Sequence, residues 1–297
     1  NDTLLVVGYG SLMSGFGLLA ESRLGKSPQL VALDAAPVTL RNARRGLAKP
    51  SSHGRYLAMD VEPIDRAAPI TAHIESNGAG IGALALEFDR KWAPLIAQRE
   101  EYGAAAFEQL ITLADSAGVP LGEYLLRIAE RTGFDLLRYR VALRELLGYT
   151  SSGYVFHPAL VDDGRIAIIA IGAGFDGSGD SAIKSRRQEW EMDRLLGLGD
   201  ALAHERLELD RDGQIGYFAE CALGGLHGIS VTDLLEGLDP AAAAARELAG
   251  HLSKAAPHEA ARFLAATSMD ERRYRARFTG IAEPALAAYL GGARGAA

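Results

Sequence analysis

Cysteine is nearly absent: Cys221 is the only one in 297 residues. An intramolecular disulfide is therefore excluded, and with it disulfide scaffolds and cysteine-rich zinc ribbons. This composition fits a reducing compartment, so a cytoplasmic location is expected. Long apolar runs are absent too. Leu4–Val7 and Ile166–Ile171 are strand-sized, against the ~18 residues of a membrane span, and no membrane partner is expected. The first residues show no basic segment leading into an apolar core, so no signal peptide is expected. Basic excess is missing as well. Lys plus Arg number 31 against 38 Asp plus Glu, a formal net charge of −7. Neutralising phosphates needs a basic surface, so nucleic acid is not an expected partner. None of the seven histidines stands in His-Glu-x-x-His or another tight ligand spacing, and no metal site is expected. Cys221, between Phe218 and Leu223, reads as a small buried hydrophobe.

What is present is an ordinary globular composition, 48% hydrophobic and 23% charged. The first third reads as β-rich. Leu4-Leu5-Val6-Val7 suits a buried strand, Val31 to Leu40 partly alternates, and Tyr56–Val61 continues the pattern. An Asn77–Gly80 turn leads into a strand over 81–88. The period then changes. Asp89 is placed to cap a helix that tolerates Pro94 in its first turn. Two or three helices follow between about 106 and 147. Strands return at Tyr154–Phe156 and Ile166–Ile171, separated by the Asp162-Asp163-Gly164 turn. After the glycine-rich stretch 172–179 the chain reads as helical. One of these helices begins at Asp239-Pro240 and contains the run Ala241–Ala245. Asp176–Ser181 reads as a linker turn, with Lys184, Arg186 and Arg187 on a basic helix face beyond it. Tyr274, Arg275, Arg277 and Phe278 read as surface or interface residues.

The first strand ends in Val7-Gly8-Tyr9-Gly10-Ser11-Leu12. Gly-x-Gly after a strand invites a dinucleotide-binding reading. The position that needs a third small residue holds Met13, which argues against it. Gly-x-Ser-x-Gly is also absent, so there is no hydrolase nucleophile elbow. Glycine at position 10 lets a ligand approach the backbone closely. Adjacent N–H groups turned outward suit a carboxylate or a developing oxyanion.

About 90 residues further on stands Gln98-Arg99-Glu100-Glu101-Tyr102. Trp92, Ile96 and Glu100 are spaced i, i+4, i+8, which puts Glu100 on the apolar face and rotates Glu101 by ~100° toward solvent. An inward carboxylate is desolvated, which raises its pKa toward that of a general base. Glu100 is therefore favoured over Glu101.

Tyr9-Gly10-Ser11-Leu12 at the end of a first strand, followed in order by a strand, a short helix and Arg99-Glu100, resembles the gamma-glutamylcyclotransferase-like family. The resemblance covers roughly residues 4–104 and, after an interruption, 150–175. It extends loosely to the Arg-rich segment Leu40–Leu47, where Arg41 reads as solvated and Arg44 or Arg45 as a candidate for the cleft. It implies an α+β fold: a small mixed β-barrel of that type, with inserted helices and a helical C-terminal extension. The corresponding division is residues 1–178, with a helical insertion at about 106–148, and then residues 179–297, which have no counterpart in the family.

The activity implied is cleavage of a gamma-glutamyl amide or peptide to 5-oxoproline and a free amine. Glu100 would be the catalytic general acid/base, with Tyr9, Gly10, Ser11 and Leu12 holding the substrate. No metal or organic cofactor is implied, and the partner is a small-molecule gamma-glutamyl substrate. Oligomeric state is left open. The alternative from another class is a non-catalytic small-molecule binding or interaction protein on the same fold.

Overall fold

A computed structural model describes residues 3–15, 18, 30–50, 56–74, 80–100, 103–148, 154–172, 211–227 and 243–279. Among the described residues eight strands carry the first part: β1 (Thr3–Gly8), β2 (Ala32–Arg41), β3 (Ala43–Pro50), β4 (Leu57–Pro63), β5 (Ile70–His73), β6 (Ile81–Asp89), β7 (Tyr154–Val161) and β8 (Ile166–Gly172). Six of them close a barrel in the order β1-β6-β2-β5-β7-β8. Its seams are mixed: β1 pairs antiparallel with β6 and parallel with β8, and β5 pairs parallel with β7. Ala83, Leu84, Ala85 and Leu86 are buried in succession, so both faces of β6 are covered and its pattern is a run, not an alternation. The molecule is mixed α+β, as the sequence implied.

The expected strands at 4–7, 56–61, 81–88, 154–156 and 166–171 all form. Among the described residues β3 and β4 pair only with each other, as a two-stranded sheet beside the barrel. Arg44 is spent there on an ion pair with Glu62, and Arg45 donates to the carbonyl of Gly82 on β6. β5 is short; its alternation Ile70-Thr71-Ala72-His73, with Ile70 and Ala72 buried, is a strand signal that sequence reasoning did not use.

Asp89 accepts from the Lys91 amide at 2.9 Å and caps a 3-10 turn, Arg90–Trp92. The turn leads into α1 (Ala93–Arg99), with Pro94 in its first turn. The insertion is three helices: α2 (Ala104–Ser116), α3 (Leu121–Arg131) and α4 (Leu136–Leu147). Asp135 caps α4, and Gly148 ends it with a left-handed φ of 63°. These helices pack on β7. Phe107 meets Phe156 at 4.7 Å between ring centroids, and the Tyr139 phenol donates to the Phe156 carbonyl at 2.7 Å.

Beyond the barrel, α5 (Arg211–Ala222) leads into a 3-10 turn, Leu223–His227; α6 (Ala243–Ala266) and the short α7 (Glu271–Tyr274) follow. The Ser268 amide donates to the Ala32 carbonyl at 2.7 Å, and Arg273 and Arg277 both reach Asp34 on β2. Tyr274 and Phe278 are not surface residues. They are buried in an aromatic cluster with Phe263 and His227, because α7 and the π-helical turn Arg275–Thr279 after it turn the two rings inward while Arg275 pairs outward with Glu271. The turn at 77–79, the stretch 173–181, Lys184, Arg186, Arg187, the helix start at Asp239-Pro240 and the boundary at 178/179 lie outside the described residues.

The two buried histidines predict acid sensitivity. His227 stacks on Phe263 at 3.9 Å, and neither ring nitrogen has a hydrogen-bond partner among the described residues. Burial lowers its pKa to about 3; burial likewise lowers that of His157 to about 4, against a weaker opposing bond to the Pro158 carbonyl. Both are neutral when folded and protonate near 6.5 when unfolded. Their contribution is complete above pH 6.5 and is lost as pH falls toward 4 and 3. At pH 5 each costs about 2 kcal/mol. Melting temperature measured from pH 7.5 to 4.5 should fall accordingly. His227→Leu should flatten that slope; an unchanged slope means His227 does not couple to folding.

Candidate functional site at the glycine-loop end of the barrel

β1 is driven inward by its apolar run and ends at Gly8, paired with Leu84. A Cβ on Gly8 would lie 2.7 Å from the Leu12 Cβ. Glycine is needed there because Leu12 folds back on the strand end. Tyr9 and Gly10 lead into a 3-10 turn over Ser11–Met13, closed by the Met13 amide on the Gly10 carbonyl at 2.9 Å. The amides of Ser11 and Leu12 open this turn and have no acceptor within it.

The tyrosine is buried. Its phenol donates to the Ala170 carbonyl on β8 at 2.5 Å and lies 3.3 Å from Asp60 Oδ1 on β4. Burial, then the charge of Asp60, then Tyr154, Glu100 and Tyr217 hold its pKa well above 10. Tyr9 is therefore a neutral donor at every physiological pH.

The glutamate reaches the loop because the chain doubles back. β6 runs away from Gly8, and the ten residues from Arg90 to Arg99 return it by roughly 15 Å at 1.5 Å per helical residue. Glu100 caps the C-terminus of α1, its amide bonded to the Ile96 carbonyl at 3.0 Å, and it is 8% exposed. Arg99, equally buried, donates through Nη1 to Glu100 and through Nη2 to Ser11 Oγ at 3.0 Å. One guanidinium thus ties the carboxylate to the glycine loop across 88 positions of sequence. Glu101 and Tyr102 lie outside the described residues.

Four of these participants were not singled out by sequence reasoning. Arg99 was seen only as a neighbour of Glu100. Asp60 is fully buried, and an acid inside the apolar run Tyr56–Val61 was its available signal. Tyr154 donates to the Met59 carbonyl at 3.4 Å. Tyr217, on α5, accepts from the Met59 amide at 2.7 Å; nothing in its local sequence marks it. Cys221 is buried, one helical turn beyond Tyr217.

The cluster therefore offers two buried carboxylates, Glu100 and Asp60, a guanidinium, backbone amides and neutral phenols around one loop, a set suited to moving a proton beside a polarised carbonyl. A separate cavity of about 680 Å³ lies at the other end of β1, lined by Thr3, Leu5, Ile111 and Leu121. Its charged rim is self-paired: Arg90 binds Asp115, and Arg165 reaches Glu87. It holds none of the groups above. Among the described residues no cluster of three metal-ligating side chains occurs, and no helix is long and apolar enough to cross a membrane. Comparison of the chain with family models, curated proteins and solved structures gives no match.

Proposed function

We propose that this chain is a gamma-glutamylcyclotransferase-like enzyme, releasing 5-oxoproline and a free amine from gamma-glutamyl amides. The observation that carries the reading is the link from Glu100 through Arg99 to Ser11. It joins the two short sequence motifs, distant in the chain, into one buried cluster. The closed six-stranded barrel is consistent with a small barrel of the kind the reading requires.

In this mechanism the substrate's alpha-ammonium group gives one proton to solvent, and Glu100 takes a second from the same nitrogen as it attacks. The freed amine attacks the gamma-carbonyl carbon, forming the C–N bond of a five-membered ring and placing negative charge on the carbonyl oxygen. The amides at Gly10–Leu12 stabilise that oxyanion, each such donor being worth about 10²–10³ in rate. Glu100 returns the proton to the amide nitrogen as its bond to the gamma-carbon breaks. The nucleophile belongs to the substrate, so its attack benefits from intramolecular proximity and needs no serine or cysteine. Tyr9 contributes a fixed neutral phenol, and Arg99 positions the carboxylate against the loop.

The reading is tested by 5-oxoproline release from L-glutamine, short gamma-glutamyl alkylamides and gamma-glutamyl peptides. Gly10→Val places a branched side chain where a Cβ already meets the Tyr217 hydroxyl at 3.2 Å and Met59 Cβ at 3.7 Å. KM should rise at least tenfold in protein that remains folded by circular dichroism. A normal KM in that variant removes the loop from the site.

A further inference from the structure

The C-terminal extension reaches the same cluster. α5 is held against the loop by Ser14 Oγ, which donates to Glu220 at 3.2 Å, and it lays Tyr217 in front of Gly10. The Tyr217 hydroxyl stands 3.2 Å from the point where a Gly10 side chain would begin. This phenol is fixed from two further directions: its oxygen accepts the Met59 amide at 2.7 Å, and its ring stacks on Tyr56 at 4.6 Å and 18°. It is 5% exposed. A ligand approaching the Gly10 backbone from this side meets a wall that is anchored in place.

We propose that Tyr217 sets the size of the leaving amine, restricting the site to gamma-glutamyl amides of small amines. The inference rests on the cyclotransferase reading. The gamma-glutamyl part of every substrate is the same, so selectivity among substrates arises where the leaving group passes. A rigid ring at that boundary discriminates by bulk, and a methylene that does not fit is worth about 10–200-fold.

The experiment compares kcat/KM for L-glutamine, gamma-glutamyl methylamide and gamma-glutamyl butylamide in the full chain. The wild type should prefer the two smaller amides. Tyr217→Leu, which keeps an apolar side chain but shortens the wall, should shift the butylamide-to-glutamine ratio at least tenfold toward butylamide. Tyr217→Phe keeps the ring and should hold the ratio within about threefold of wild type while removing the bond from Met59. It also remains informative if Tyr217→Leu does not fold: a shift of tenfold or more in Tyr217→Phe would itself overturn the assignment to ring bulk. A folded Tyr217→Leu that changes all three substrates equally, or none, overturns the proposal and leaves the cyclotransferase reading standing. If the wild type releases no 5-oxoproline from any amide, the reading falls and this inference falls with it.

Discussion

Glu100→Gln is expected to lower 5-oxoproline release by about 10²–10⁴-fold, the usual contribution of general acid–base catalysis. Glutamine is the appropriate replacement because its carbonyl oxygen can still accept from Arg99. Alanine would break the buried Arg99–Glu100 pair, and breaking a buried pair costs about 3–5 kcal/mol. A loss of activity could then be mistaken for a loss of fold. KM should change little, since in the proposed mechanism the loop amides hold most of the glutamyl group. Glu101→Gln removes the same charge one residue on and should cost less than about threefold. Reversed effects would move the base to position 101. Small, equal effects would remove the chemistry from this helix end, leaving a binding or interaction protein as the better description.

Gly15→Ala should produce the largest loss of stability among single-methyl additions to the loop. The Gly15 Cβ position runs into the backbone of α6: it would overlap the Phe263 amide nitrogen and stand 2.6 Å from both the Arg262 carbonyl carbon and the Phe263 Cα. None of these atoms is the end of a flexible side chain, so no rotamer change relieves the overlap. α6 must move away from the loop. Overpacking of this kind costs about 1–3 kcal/mol or more. At roughly 2–4 °C per kcal/mol for a large domain, the melting temperature should drop by about 5 °C or more. Gly216→Ala on α5 is the control, since its Cβ meets nothing within 4 Å. There the gain in helix propensity should leave stability equal or higher by about 0.5–1 kcal/mol. Equal melting temperatures for the two variants would mean that loop and α6 are not in contact in solution.

Much of the local structure follows from the sequence alone. Leu4–Val7 and Ile166–Ile171 are apolar runs of strand length bounded by glycine, and both form buried strands. Asp89 and Asp135 cap because their carboxylates reach amides two and three residues on. The inward turn of Glu100 was legible from the spacing of Trp92 and Ile96, as both that interval and the helix are local. Tertiary structure decided everything that depends on distant segments meeting. The parallel seams β1–β8 and β5–β7 join strands far apart in the chain, and no turn chemistry announces them. β5 alternates as a strand should, but its place in the barrel is set by β2 and β7 on either side of it. Tyr274 and Phe278 are buried because His227 and Phe263 arrive beside them. Arg99 meets Ser11 because β1 pairs with β6 and α1 returns the chain toward the loop after β1. Tyr217 reaches Met59 across 158 positions. A hydrogen bond at that separation leaves no trace in local periodicity, since its energy depends on the relative placement of two elements and not on the residues beside either one.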